Sequence, residues 1–549
     1  MRPHSLPPPC LSKSLSPLRK KNRWKIELFI IIKYRNYYCK HPKMDSVFDN
    51  VHIDIHNDDT KQPPFDTFQL GEKFGVLNIK MTRVEITKQP LFLLFTVDKT
   101  GSMGEKTNDG STKLDHVIQT FKSMMNYLAK QDAIIYVCIQ TFNDTVDVTI
   151  PTVKLSDKGV LSEIMKKIND IDADGNTNIE NALKYADKTL VSYATQNPTH
   201  QLGHIFMTDG EATDGLKHPE ELKALVNDKF HNIFVGFGQF HNANLLRILS
   251  NNLLGEYQFV DNMENTTMVY GETIHKFLYP AIHNVEIVVE NGIIYDWKTN
   301  TWVDTIYEPI LVGEAVKNYH IRMEKQADIQ ATIYTTMTEE RVCVKSVSYI
   351  ENSNEKTDLT KYMYRQKVQE LLHTAKMRGN KRNFKTDLRK TFEKMHRYMR
   401  ENDCMEDAFM KQLCEDVYIV YTTMDMENGM MYSLSRQSTQ GRQQTYNVST
   451  PVVNNNRQNY GVISPRRPRM TRQRTLFRRQ IFDSQIDNDN DNDNDNDTLM
   501  TESDNDTEIG TFCDPCDDID NYKPTACSDT SCYMSPLVMT LVNSMTQEL

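Results

Sequence analysis

The segment Leu91–Gly104, LFLLFTVDKTGSMG, opens with an uncharged, largely apolar run and changes character abruptly at Asp98. The run from Leu91 to Val97 reads as a strand buried on both faces, as in a parallel sheet covered by helices. Beyond it, Asp98, Thr100 and Ser102 occupy alternate positions on a short loop that also holds Gly101 and Gly104. A carboxylate and two hydroxyls are hard oxygen donors, the ligand type that suits magnesium or manganese. Open α/β sheets place their sites on such loops, at the carboxyl ends of strands.

Two later segments have the same character. Asp174–Leu183 reads DGNTNIENAL, a polar loop running into a helix, and Ile205–Gly210 reads IFMTDG, an apolar strand ending in an acidic turn. Together the three loops resemble the metal-ion-dependent adhesion site of the von Willebrand factor A (vWA) family. The resemblance implies a doubly wound, mostly parallel α/β domain with a Mg2+ (or Mn2+) cofactor. By that resemblance Asp98, Thr100, Ser102, Thr177 and Asp209 are the metal ligands. Gly101, Asn176, Gly210 and Glu211 are then expected on the face offered to a protein partner, whose Glu or Asp supplies the last oxygen. In family members the last helix can move as ligands switch between direct and water-mediated contact; here it falls near Glu264–Phe277. Two positions depart from the pattern. Thr100 stands where many members carry Ser, and Asp174 stands where glycine is usual, adding negative charge.

Other chemistries fit less well. A lone D-x-T-x-S is more often a capped turn, but three loops in the family's order are not a lone motif. Gly101–Thr107, GSMGEKT, fails as a phosphate-binding loop because Glu105 separates Gly104 from Lys106. An aspartyl phosphatase would want a second acid at position 100. A metal-assisted hydrolase stays as an alternative, although no nucleophile and base are paired in the pattern; His204, His231 and His241 lie on or beside strands and read as structural. A scaffold with a vestigial metal site is the third reading. The expectation is a binding module, not an enzyme.

The chain has 549 residues, 39% hydrophobic, with a formal net charge of −10. That length suits about three or four domains. Ten thinly spread cysteines do not form a disulfide framework and point to a reducing, intracellular setting. Residues 1–43 read as a disordered extension, with Met44 expected as the functional start; its apolar knot Ile26–Ile32 is too short to span a bilayer, which takes about 20 apolar residues. Residues 44–90 read as lead-in strands that can join a later β-sandwich. The vWA-like domain spans 91–279. Period-two alternation over 283–350, with the hairpin signal Asn291-Gly292, predicts the sandwich. Helical spacing resumes over 355–425. Residues 428–533 read as a disordered tail, basic around Arg466–Arg479 and then acidic in the Asp-Asn tract Asp487–Asp497. The basic run reads as a solvated linker and does not mark the chain as a nucleic-acid binder. Cys513-x-x-Cys516 and Cys527-x4-Cys532 offer four zinc ligands, but the second pair is too widely spaced for a standard knuckle and no flanking strands hold it. In 534–549, Met534, Leu537, Val538, Leu541, Val542 and Met545 share one face of a short helix. It reads equally as a docking peptide or as a helix that packs back on the chain's own helical segment.

Overall fold

The computed structural model describes residues 44–57, 72–106, 110–237, 241–260, 266–324, 328–337, 340–349, 356–375, 381–424, 429–443 and 518–522. The N-terminal extension, the basic and acidic tracts, the four C-terminal cysteines and the 534–549 segment lie outside the described residues. The chain enters on two antiparallel strands, β1 (Phe48–Ile55) and β2 (Glu72–Met81), whose other sheet partners come more than 200 residues later.

Between β2 and those partners the chain builds a separate α/β domain. Its elements are β3 (Leu91–Asp98), α1 (Lys113–Ala129), β4 (Ile135–Phe142), β5 (Val146–Lys154), α2 (Val160–Asn169), α3 (Ile179–Gln196), β6 (Gln201–Thr208), α4 (Pro219–Lys223), β7 (His231–Phe237), α5 (Ala243–Leu249), β8 (Gly255–Val260) and α6 (Thr266–Leu278). The sheet order is β5-β4-β3-β6-β7-β8, parallel except for the edge strand β5. All eight residues of β3 are buried. Alternate side chains of a strand point to opposite faces. Leu91, Leu93, Phe95 and Val97 accordingly pack with Val117, Phe121 and Met124 of α1 and Phe277 of α6. Phe92 and Leu94 pack with Ala186 and Leu190 of α3 on the other side. Each such apolar side chain contributes about 1.5–3 kcal/mol by leaving water. The chain leaves β3 towards β4 on one side and returns to β6 on the other. The crevice above their carboxyl ends is therefore the switch point of the sheet.

A β-sandwich follows: β9 (Pro280–Glu290), β10 (Gly292–Asp296), β11 (Thr301–Val303), β12 (Thr305–Val312), β13 (Val316–Glu324), β14 (Gln330–Met337) and β15 (Glu340–Ser348). One sheet has the order β1-β2-β13-β10-β11 and the other β12-β9-β14-β15. Their inner faces share one core, Leu77 and Ile79 of β2 meeting Val285 and Ile287 of β9. Because β2 sits between β1 and β13, the α/β domain is an insertion into this sandwich. Strands β11 and β12 are parted by Asp304 alone, whose carbonyl accepts from Val289 N–H at 2.8 Å as the chain crosses between the two sheets.

Four helices complete the body: α7 (Thr360–Ala375), α8 (Lys381–Glu401), α9 (Ala408–Thr423) and α10 (Gly429–Gln443). Helix α10 lies in the stretch expected to be tail. Apart from Leu434, its buried side chains are polar, among them Arg436, Gln437 and Gln440, so no apolar stripe announces it. It joins three parts of the body. Leu434 enters a core of the α/β domain with Leu246 and Tyr257. Gln437 donates to the Trp297 carbonyl at 2.8 Å, and Arg436 and Gln440 donate to the buried Asp416 of α9. Gly441 lies flat on Trp297, where a Cβ would stand 2.1 Å from the indole. No helix among the described residues is long and apolar enough to cross a membrane.

Candidate functional site

Three loops meet at the switch point. The first turns sharply after β3: the Asp98 carboxylate accepts the Thr100 N–H at 2.8 Å, and Gly101–Gly104 forms a single 3-10 turn. The second is stitched to the first by Gly101 N–H to the Gly175 carbonyl at 3.2 Å and Asp174 N–H to the Lys99 carbonyl at 2.8 Å. Gly175 has φ +75, and a Cβ there would lie 2.5 Å from an Asp144 oxygen, so only glycine fits. The third follows β6 and is tied to the second by Thr177 N–H to Thr213 Oγ1 at 2.8 Å and Thr213 N–H to the Thr177 carbonyl at 3.0 Å.

The five expected ligands come together on these loops. Asp98 is fully buried; its second oxygen accepts from the Thr208 hydroxyl at 2.5 Å. Burial pushes its carboxyl up to about 6, with the Asp209 charge adding to the rise while the hydrogen bonds from Thr208 and Thr100 oppose it. The Thr100 and Ser102 hydroxyls lie 3.2 Å apart, and Ser102 donates to Asp209 Oδ1 at 2.8 Å. A Cβ placed on Gly210 would stand 3.5 Å from Thr177 Oγ1 and 3.7 Å from Ser102 Oγ, so glycine leaves a small cradle between those hydroxyls. Among the described residues no three His, Cys, Asp or Glu side chains group to hold a metal. A cation in this place would draw on two carboxylates and three hydroxyls.

The remaining expected residues divide. Gly101 and Glu211 are exposed and Gly210 is partly so. Asn176 is also exposed, but its side-chain amide donates to Asp144 Oδ1 at 2.9 Å and its N–H to Asp144 Oδ2 at 3.1 Å, so it positions the second loop. Asp174, the extra negative charge, is occupied by Asn143 Nδ2 at 2.8 Å. Two residues that do not stand out in the loop pattern matter here. Asp144 is one. The other is Lys113, whose Nζ lies 2.6 Å from Asp209 Oδ2 and 2.8 Å from Glu105. Thr112 and Asp115 form a reciprocal cap that starts α1 and fixes Lys113 as its first residue. A cation is unfavourable at a helix amino end. Lys113 is held there by the carboxylates: burial opposes its charge, but the bonds to Asp209 and Glu105 outweigh it and raise its pKa.

The histidines are built into the sheet. His204 Nδ1 donates to Asn232 Oδ1 at 2.9 Å, a direction set because the Asn232 amide donates to the Asn227 and Phe230 carbonyls. Its Nε2 then accepts from Thr96 at 3.0 Å. Burial lowers its pKa from 6.5 to about 4. The unfolded chain takes up this proton near 6.5 and the folded chain only near 4. Its contribution to stability is complete above pH 6.5 and is lost as pH falls towards 4, by about 1 kcal/mol at pH 5.5. Thermal melts between pH 7 and 5 will show this decline, and a shallower one in His204→Gln.

Residues 93–271 match the model of the von Willebrand factor type A domain. The chain carries a vWA domain, and the three loops are its switch-point edge. Solved structures similar to the chain include a von Willebrand factor type A protein from Catenulispora acidiphila, at 13% identity and TM-score 0.48 over 72% of this chain and 97% of the other. Another is the ArnB paralog VWA2 from Sulfolobus acidocaldarius, at 12% and 0.42 over 71% and 97%. A third is the pilus adhesin SpaC from Lactobacillus rhamnosus GG, at 11% and 0.30 over 54% and 47%. No curated protein sequence matches the chain.

Proposed function

We propose that the vWA domain of this chain is a protein-interaction module that recognises a partner's acidic side chain through Mg2+ or Mn2+. The supporting observation is how the three loops are bonded: Asp98 accepts from the Thr208 hydroxyl and the Thr100 N–H, the Thr100 and Ser102 hydroxyls meet, Ser102 donates to Asp209, and the Ser102 and Thr177 hydroxyls both border Gly210. Asp98 and Asp209 would bring charge, and Thr100, Ser102 and Thr177 neutral oxygens. Magnesium keeps water ligands readily, so an ion held by this set would offer an electrophilic position to an incoming carboxylate. Gly101 and Glu211, exposed at the rim, would meet the partner first.

Calorimetric titration with MgCl2 and MnCl2 tests the reading. Saturable binding is expected in the wild type and a loss of at least about 100-fold, roughly 2.7 kcal/mol, in Asp98→Ala and in Asp209→Ala. Capture of a partner should then require the ion and fail in Thr177→Ala. A second reading has its own support: Lys113 already gives Asp209 a positive partner. A wild-type chain that takes up neither ion and gains no melting temperature from them leaves that reading, a scaffold whose ammonium stands where a metal once did. Turnover of phosphate or ester substrates that disappears in Asp98→Ala would instead require a hydrolase.

A further inference from the structure

The next residues described after α10 lie at 518–522. Residues 444 to 517 intervene, and then Asp518–Tyr522, Asp-Ile-Asp-Asn-Tyr, lies against α8 and α9. Ile519, Asp520 and Tyr522 of this short segment each meet a counterpart on the helices. Ile519 is fully buried in the helical core with Phe392 and Val417. Asp518 accepts the Asp520 N–H at 3.1 Å, which shapes the single turn. Asp520 accepts from the Tyr421 hydroxyl at 3.0 Å and pairs with Arg389, which also stands 3.9 Å from Asp518. The Tyr522 ring meets Phe392 edge-on at 4.9 Å and Tyr418 at 5.2 Å, and its hydroxyl donates to Glu415 at 3.1 Å.

This is the anatomy of peptide recognition: one buried aliphatic anchor and one half-buried aromatic anchor, with a charged pair at the rim. The rim groups are partly solvated, with Asp520 at 49%, Asp518 at 37% and Arg389 at 40% side-chain exposure, so separating them strands no fully buried charge. Covalent attachment makes the docking intramolecular. At effective concentrations on the order of millimolar, even a peptide of micromolar affinity stays in place.

We propose that the α8–α9 groove is a peptide-binding site and that residues 518–522 are its tethered occupant, bound in cis. A protein presenting an acidic–Ile–acidic–x–Tyr stretch would gain the groove only by displacing the tail. The inference does not depend on the metal centre.

The test uses full-length chains and a fluorescein-labelled peptide of residues 514–525 with Cys516→Ser. Anisotropy should show the peptide binding an Ile519→Asp/Tyr522→Ala chain at least tenfold tighter than the wild type, where the tail competes. Adding Arg389→Glu to the vacated chain should weaken binding at least tenfold. Equal binding to vacated and wild-type chains, or none up to 1 mM (a concentration matching the roughly millimolar tethering scale), overturns the proposal. So does loss of cooperative melting in the vacated chain, which would make the segment part of the core instead of a ligand. Sedimentation should show a wild-type monomer; a dimer that dissociates in the vacated chain would place the tail in trans and overturn occupancy in cis.

Discussion

A Lys113→Met chain is expected to melt below the wild type in EDTA and to bind Mg2+ more tightly. Both effects come from Asp209, whose side chain has no exposure and, among the described residues, keeps the Ser102 hydroxyl as its donor once the ammonium is gone. Removing one partner of a fully buried pair costs about 3–5 kcal/mol. Lys113 keeps 17% exposure, so a loss of about 1–3 kcal/mol is expected here. Methionine preserves the apolar stem and removes only the charge. In the wild type an incoming cation must displace the ammonium from Asp209; in the variant it need not, and affinity should rise about tenfold, which is about 1.4 kcal/mol. Melting with and without chelator, beside calorimetry, reads both. Lys113→Arg, which keeps a cation, should stay near the wild type in EDTA. Unchanged metal affinity in Lys113→Met would reduce the lysine to a structural ion pair.

The largest stability effect is expected at Asp416→Ala. Asp416 is fully buried and accepts from Gln412 at 2.9 Å, Gln440 at 2.6 Å and Arg436 at 3.3 Å. Its removal leaves a guanidinium at 8% exposure without its carboxylate and two amides without their acceptor. A loss of about 3–5 kcal/mol follows. The damage should centre on α10, which this cluster holds against α9. Hydrogen exchange over 429–443 should rise far more than over β3, and Asp416→Leu/Arg436→Met should recover much of the loss because it removes both charges together. Unaltered exchange over α10 would mean that Leu434 and the Gly441–Trp297 contact hold the helix without the polar cluster.

The fold was legible where one residue type carried one role. The uncharged run at Leu91–Val97 reads as a strand covered on both sides because it is short and stops at a Gly-rich polar loop, and the oxygen-rich turns at 98–102, 174–178 and 208–210 mark their places at the carboxyl edge. What escaped is non-local or polar. Lys113 looks like any surface lysine at a helix start until Asp209, 96 residues away, is brought beside it. Helix α10 buries Arg, Gln and Gly where an apolar stripe would be looked for. Asp518–Tyr522 is too short to show a period. Asp144 reads as a turn residue because its work, holding Asn176, depends on a loop 32 positions on. The departure at Asp174 reads from the sequence as added charge, and what it could not show is that the carboxylate takes a hydrogen bond from Asn143, 31 positions away.

The inserted domain is entered through residues 82–90, but its exit to the sandwich is one residue long: α6 ends at Leu278, β9 begins at Pro280 and only Tyr279 lies between. Strand β9 is laddered on both sides, to β12 and to β14. Sliding α6 by one turn, about 5.4 Å, would drag β9 out of step with both neighbours, and a slip of a single position turns every side chain to the wrong face. The terminal helix of this domain is thus bolted at its far end. Travel along the helix axis is locked by these ladders, so a shift of α6 would reach the sandwich as a tilt about Tyr279.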